Sequence, residues 1–156
     1  GKALGVNLED DISGKTTLTL DLLSYSVEKG LDGAFDCRAC LSANDDNTSR
    51  VIYEKFQCEG LIPWDKKMYA AHHVPEESFL IQKLLDAYEQ VAGERPEPLC
   101  IGGGTYVHDI DNGVAFGCSF CDTDNRMHGA DEFMTLEHML FSCKVYARAI
   151  LELCGE

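Results

Sequence analysis

The spacing of the apolar residues differs between two parts of this chain, which meet near Val74–Pro75. Before that point, the segment Thr16–Leu23 is rich in β-forming residues and alternates well enough for a strand. Beyond it, apolar residues recur at steps of three and four, as in an amphipathic helix: Phe79, Leu80, Leu84, Leu85, Tyr88 and Val91. Proline also restricts the residue before it to extended geometry, which favours a joint here. We therefore predict an α+β chain, β-rich over residues 1–74 and α/β over residues 75–156.

The first part is predicted to contain a β-hairpin followed by a helix. Thr16–Leu23 and Ala34–Leu41 are the two strands, and the turn residues between them lie in Glu28–Gly33. After a polar loop, Thr48 or Ser49 is expected to cap a helix. That helix is predicted to run through Cys58 and to stop near Gly60.

The second part is predicted to contain two long helices and a strand. Pro75 and the acids after it are typical of a helix start, and Gly93 suits the C-terminal cap of that helix. A glycine loop, Ile101–Tyr106, precedes an apolar strand at Gly113–Gly117. A last helix starts near Thr135, with these residues on one face: Leu136, Met139, Leu140, Cys143, Ala147, Ile150, Leu151 and Cys154.

Charge and hydropathy restrict the partners of the chain. The formal net charge is -14, and the 13 basic residues form no stripe. Such a surface repels phosphate backbones and anionic lipid, so we expect no nucleic-acid partner. No apolar run approaches the roughly 20 residues that span a bilayer, so no membrane partner is expected either. No hydrophobic signal core is visible at the start, and a cytoplasmic location is the default expectation.

The eight cysteines allow two interpretations. Five of them lie in apolar stretches and are predicted to be reduced, buried thiols: Cys37, Cys40, Cys100, Cys118 and Cys143. Alternatively, the pairs Cys37-x-x-Cys40 and Cys118-x-x-Cys121 form a four-thiolate zinc site. Their separation far exceeds the about 15–20 residues of a zinc ribbon. A redox function is less favoured still, because such pairs need a helix N-terminus and these follow or occupy strands.

Three motifs in the second part occur in a familiar order. They are Ile101–Tyr106 (IGGGTY), Gly113–Gly117 (GVAFG) and Met127–Phe133 (MHGADEF). In these motifs the chain resembles the dipeptidase V-like branch of the zinc metallopeptidase family that also contains carboxypeptidase G, acetylornithine deacetylase and succinyl-diaminopimelate desuccinylase. The resemblance covers residues 75–156 well, as the C-terminal part of the catalytic domain. It extends more faintly over residues 1–74, which look like the β-rich half of the family's ferredoxin-like lid domain.

The resemblance implies a metal ligand at His128. In the family two zinc ions hydrolyse a dipeptide bond, and His128 occupies the position of the last zinc ligand. A neutral imidazole gives one nitrogen to the metal while a second acceptor orients the other nitrogen. Asp131 or Glu132 could be that acceptor. Without the resemblance, His128 would be interpreted as an exposed loop histidine.

The resemblance also suggests how a dipeptide substrate is held. Successive glycines let backbone N–H groups approach an anion, so Gly102, Gly103 and Gly104 are candidates for binding its carboxylate. Arg38 matches a lid strand where related enzymes place an arginine, and a guanidinium can bind a carboxylate through two hydrogen bonds. The alternatives are a plain tight turn for the glycines and a solvated strand arginine for Arg38.

No catalytic residue is expected in this chain. The other zinc ligands and the glutamate base of the family lie upstream of the matching part, and the sequence has no His-x-Asp motif. Val107–His108 and Gly129 also depart from the family's usual Ala-Arg and Gln. We therefore predict a dipeptidase fragment that is inactive alone. The alternatives are the small four-thiolate zinc module and a non-catalytic lid-type module that self-associates, as a homo-oligomer, through exposed strand edges.

Overall fold

The fold is described from a computed structural model, which describes residues 1–64, 68–117, 120 and 123–155. These residues form four strands and three α-helices: β1 Glu9–Asp10, β2 Gly14–Lys15, β3 Thr17–Ser26, β4 Gly30–Arg38, α1 Arg50–Cys58, α2 Phe79–Ala92 and α3 Leu136–Cys154. Short 3-10 turns lie at Lys2–Leu4 and Tyr106–Asp109. The chain is therefore a mixed α and β protein, as predicted.

The chain divides into two compact units. The first contains Gly1–His73 and Cys100–Gly104, and the second contains Val74–Leu99 and Thr105–Glu156. All strands of the described residues lie in the first unit, and α2 and α3 lie in the second. The identification of these units with parts of a lid and of a catalytic domain stays a prediction.

The hairpin of the first unit confirms the predicted strand pair. Strands β3 and β4 are antiparallel, with Thr17 opposite Arg38 and Ser26 opposite Gly30. The register shifts between Leu20 and Leu22, as in a β-bulge. The turn is shorter than predicted, because Gly30 takes a φ of 76° and β4 begins there. Arg38 is the last residue of β4.

A polar network in the first unit ties the β1–β2 turn to the segment after β4. The Asp10 carboxylate accepts hydrogen bonds from the backbone N–H groups of Ile12 (3.1 Å), Ser13 (2.7 Å) and Ser42 (3.1 Å). The Ser13 hydroxyl also donates to it at 2.9 Å and accepts from the N–H of Leu41 at 2.8 Å. The Ser13 N–H contributes most to holding the pKa of Asp10 far below its ordinary value. The charged form of Asp10 therefore stabilises this unit.

The start of α1 differs from the prediction in its capping residue. Thr48 and Ser49 belong to a π-helical turn, Asp45–Ser49, that runs directly into α1. Asn44 caps this turn, because its side chain accepts hydrogen bonds from the N–H groups of Asp46 and Asn47.

The second unit is built on the α2–α3 helix pair. The side chains of Ser78 and Thr135 accept hydrogen bonds at the two helix starts, and Gly93 ends α2 with a φ of 85°. The pair packs through apolar side chains: Leu84 and Ala87 of α2 with Ala149 of α3. Beside them, Glu152 accepts hydrogen bonds from Gln90, Arg148 and Lys83, which lower its pKa. The predicted helix ends at Gly93 and Thr135 are confirmed.

The residues predicted to share one face of α3 do so, and this face is exposed. Val145 is completely buried and Ala149 is only 5% exposed, and both lie on the opposite face. Leu140 and Ile150, on the predicted face, are 57% and 62% exposed. The helix is apolar on two sides, so periodicity alone could not decide which side meets α2.

The predicted strand at residues 113–117 is also wrong. This segment has no regular secondary structure. Val114 and Phe116 pack against the helix core, whereas Ala115 between them is exposed, so the alternation of a strand is present. No partner strand pairs with it among the described residues, and a strand needs such a partner for its backbone hydrogen bonds.

The prediction of buried thiols holds only for Cys40. Cys37, Cys100 and Cys143 are exposed, and Cys118 lies outside the described residues. An apolar sequence neighbourhood therefore did not predict burial here. None of the described helices combines the length and the apolar character needed to cross a membrane.

Candidate functional site

His128 lies in a loop with an unusual backbone. The loop precedes α3, and His128 takes a φ of 63°. Arg126 and Asp131, close in sequence, have φ values of 58° and 59°. Left-handed backbone conformations are uncommon for residues other than glycine, and three within six residues hold this loop in a specific shape. The imidazole of His128 is exposed on that loop.

The acidic residues beside His128 contact the loop, not its imidazole. The backbone N–H of His128 donates a hydrogen bond to Oε2 of Glu132 at 3.2 Å. The Asp131 carboxylate lies 3.8 Å from Nη1 of Arg126. Glu132 thus stabilises the backbone turn that presents the histidine. The predicted orientation of the imidazole by either carboxylate stays a prediction, because these contacts involve other groups.

The described residues do not by themselves fit a zinc ion. Catalytic zinc sites use three protein ligands and structural sites use four. In residues 1–64, 68–117, 120 and 123–155, no group of three or more His, Cys, Asp or Glu side chains is arranged to hold a metal. His128 is a chemically suitable donor, but one imidazole is too few. We therefore derive no reaction step through a metal for this chain.

Arg38 and the glycine loop meet within the first unit. Nη1 of Arg38 donates a hydrogen bond to the carbonyl oxygen of Gly102 at 3.1 Å. A Cβ atom added to Gly103 would lie 3.4 Å from the same nitrogen, and one added to Gly102 would lie 3.5 Å from Cδ of Arg38. Gly104 has open space around it. At these distances an added Cβ atom would be in ordinary van der Waals contact with Arg38, so the approach of the arginine does not by itself require glycine.

Asp36 is a part of this arrangement that the sequence analysis did not recognise. Its Oδ2 atom accepts a hydrogen bond from Nε of Arg38 at 2.8 Å. The two residues are two positions apart in β4, so their side chains project from the same face of the hairpin. This spacing was visible in the sequence and is the signal that could have identified the pair.

The geometry leaves Arg38 available to an anion. Its Nε and Nη1 atoms are occupied by Asp36 and Gly102, and the side chain is 52% exposed. Two fixed contacts restrict the guanidinium to one orientation, which lowers the entropy lost when it binds a ligand. The glycine loop contacts Arg38 through the carbonyl oxygen of Gly102. Binding of an anion by the backbone N–H groups of Gly102, Gly103 and Gly104 stays a prediction.

The four-thiolate hypothesis gains no support from the described pair. Cys40 is buried, its sulfur accepts a hydrogen bond from the Thr16 hydroxyl at 3.2 Å, and it lies 3.1 Å from Oγ of Ser42. Cys37 is exposed and lies within strand β4. The other pair, Cys118 and Cys121, lies outside the described residues. Cys40 therefore acts as a packed core thiol.

Two comparisons with known proteins indicate the same family. The sequence profile of Peptidase family M20/M25/M40 matches residues 25–152. Proteins named "putative dipeptidase" are similar over the whole chain: 29% identical in Staphylococcus haemolyticus and 30% identical in Staphylococcus aureus strain USA300. In both cases the chain spans only 33% of the relative's length. Because the profile match extends over most of the sequence, the chain belongs to Peptidase family M20/M25/M40.

Proposed function

We propose that this chain is a fragment of a di-zinc dipeptidase, from the C-terminal part of that enzyme, and that it is inactive alone. The observation that carries the proposal is the family match over residues 25–152. The names of the relatives support dipeptides as the substrates, and the match to a third of their length supports a fragment. We call a polypeptide extended to the relatives' full length the longer polypeptide.

In this proposal His128 supplies one metal ligand to a site completed by other parts of the longer polypeptide. Two observations support this role. His128 lies exposed on a loop of fixed, left-handed backbone, and the Glu132 carboxylate stabilises that loop through the His128 N–H. A ligand held on a rigid loop can join a metal site without rearrangement. The zinc ions themselves would polarise the peptide carbonyl and activate a water molecule.

Arg38 is proposed to bind the carboxylate of the dipeptide. Asp36 and Gly102 fix its guanidinium, and half of the side chain remains accessible. A carboxylate on Arg38 would hold the substrate in one orientation, which is a major source of rate enhancement in hydrolysis. The proton transfers are assigned to residues outside this chain, and the cytoplasm is the proposed location.

The test compares the 156-residue chain with the longer polypeptide, both purified and supplied with zinc. Hydrolysis is measured with a panel of unblocked dipeptides. We expect turnover by the longer polypeptide, loss with a chelator and recovery with zinc, and no turnover by the shorter chain. A folded, zinc-loaded longer polypeptide that cleaves none of the dipeptides would refute the proposed activity. Turnover by the shorter chain would refute its inactivity.

A further inference from the structure

Asp36 occupies one side of the Arg38 guanidinium. Its Oδ2 atom accepts a hydrogen bond from Nε at 2.8 Å, and the carbonyl oxygen of Gly102 accepts one from Nη1 at 3.1 Å. Among the described residues, Nη2 of Arg38 donates to no acceptor. A carboxylate that binds the exposed part of this guanidinium therefore approaches Nη2.

A carboxylate bound in this way would be a close neighbour of Asp36. Both anions would be hydrogen-bonded to one planar guanidinium, so their charges would lie on the order of 5–7 Å apart. The Asp36 side chain is 41% exposed, so water screens the interaction only in part. The single positive charge of Arg38 is also compensated by Asp36 before any ligand binds.

The strands beside the Asp36–Arg38 pair supply no further positive charge. In the hairpin register, Thr19 and Thr17 of β3 lie opposite the two members of the pair. Side chains directly opposite each other share one face of a hairpin. Lys15, which precedes β3, lies 3.8 Å from Glu9 and has a counter-ion of its own. Within the described strands, a second carboxylate near the pair would therefore meet repulsion without compensation.

We propose that Asp36 is a specificity-determining residue that disfavours dipeptides ending in aspartate or glutamate. In such a dipeptide the side-chain carboxylate belongs to the same residue as the carboxylate on Arg38, so Asp36 repels it. A dipeptide ending in asparagine or glutamine has nearly the same shape without this charge. The inference rests on the proposed function, because it takes Arg38 as the contact for the dipeptide carboxylate.

The test measures kcat/KM of the zinc-loaded longer polypeptide for alanyl-glutamine and alanyl-glutamate. The ratio of the two values measures the discrimination. Asp36→Asn should lower the preference for alanyl-glutamine by about 5-fold, the size expected for two partly screened charges at this distance. Asparagine can still accept the Nε hydrogen bond, and any loss of orientation affects both dipeptides and cancels in the ratio. Asp36→Glu keeps the charge and should keep the preference.

Asp32→Asn is the matched control. It removes the same charge from the same strand, four residues from Asp36, which is about 13 Å along β4. This distance exceeds the Debye length of about 8 Å at physiological ionic strength. The control should therefore show the preference of the original polypeptide.

Two outcomes would overturn the inference alone. The first is an unchanged ratio in Asp36→Asn. The second is an equal change in Asp36→Asn and Asp32→Asn, because the formal net charge of -14 would then set the preference. In both cases the proposed function would stand, since dipeptides are still cleaved. If the original longer polypeptide cleaved neither dipeptide, the proposed function would be refuted, and this inference with it.

Ionic strength gives a second readout. In the original longer polypeptide, the preference for alanyl-glutamine should weaken as salt is raised, because salt screens repulsion between exposed charges. The preference of Asp36→Asn should respond less to salt, and that of Asp32→Asn should respond as in the original polypeptide. The same salt dependence in all three would contradict the inference.

Discussion

The two candidate site regions differ in how much of their surroundings this chain provides. Arg38 is held at both ends of its guanidinium by Asp36 and Gly102, and all three belong to the same compact unit. Among the described residues, Glu132 accepts a hydrogen bond from the backbone N–H of His128, and the His128 side chain is exposed. Under the proposed function, the comparison teaches that the contacts orienting a substrate-binding arginine can all lie in one unit, whereas a metal-binding histidine needs further donors from elsewhere.

The largest effect is expected from removing the imidazole. His128→Ala in the longer polypeptide should lower kcat/KM for a dipeptide by about 100-fold or more, because a zinc ligand is lost. Zinc per polypeptide, measured by mass spectrometry of the metal, should fall with it. His73→Ala is the matched control, since His73 is an exposed histidine of the other unit. Equal activity of the two variants would refute the role of His128 as a metal ligand.

The next effect is expected from Arg38→Lys. A lysine keeps the charge but cannot contact Asp36, Gly102 and a carboxylate together, so KM should rise by about 10-fold with a smaller change in kcat. Arg50→Lys is the control, because Arg50 forms an exposed ion pair with Asp46 on the first unit. Steady-state kinetics of the longer polypeptide measure both variants. A KM unchanged by Arg38→Lys would refute the proposed contact between Arg38 and the carboxylate of the dipeptide.

A smaller, pH-dependent effect is expected at Asp10, in the unit that holds Arg38. Its pKa is lowered on folding, so its stabilising contribution is present above the ordinary value of 3.8 and is lost as the pH falls below it. Asp10→Asn should lower the melting temperature at pH 7. Between pH 5 and pH 2, the melting temperature of the variant should fall less than that of the original chain. Thermal melts followed by circular dichroism measure this. Parallel pH profiles for the variant and the original chain would show that Asp10 does not carry the dependence.

The smallest effect is expected at Gly93, in the unit that holds His128. Its φ of 85° is unfavourable for alanine, so Gly93→Ala should lower the free energy of unfolding by about 1 kcal/mol. Gly93→Asn should cost less, because asparagine tolerates the left-handed conformation better. Urea titrations compare the two. Equal losses would contradict selection of glycine by backbone conformation, since an added Cβ atom would meet nothing within 4 Å here.

The elements that the sequence predicted well are those fixed by nearby residues. Strands β3 and β4 follow from alternation and turn residues, and the ends of α2 and α3 follow from Gly93 and Thr135. The close approach of Arg38 to Gly102 joins two candidates that the sequence had proposed separately. The pairing of Asp36 with Arg38 was missed, although the two residues are only two positions apart in one strand.

The exposure of one face of α3 and the failure of one predicted strand both depend on residues far away in sequence. The face of α3 with Leu140 and Ile150 has the apolar repeat of a buried face, yet it stays exposed because α2 occupies the other side. Residues 113–117 have the alternation of a strand but lack a partner strand among the described residues. In both cases the outcome depends on which distant residues pack against or pair with the segment, so local periodicity could not predict it.

The most direct test is a crystal structure of the zinc-loaded longer polypeptide, with anomalous data collected at the zinc edge. We predict an anomalous peak at about 2.0–2.1 Å from a ring nitrogen of His128, as expected for zinc bound to imidazole. Zinc ions held entirely by other residues, with the His128 imidazole in solvent, would contradict the assignment of this residue as a ligand.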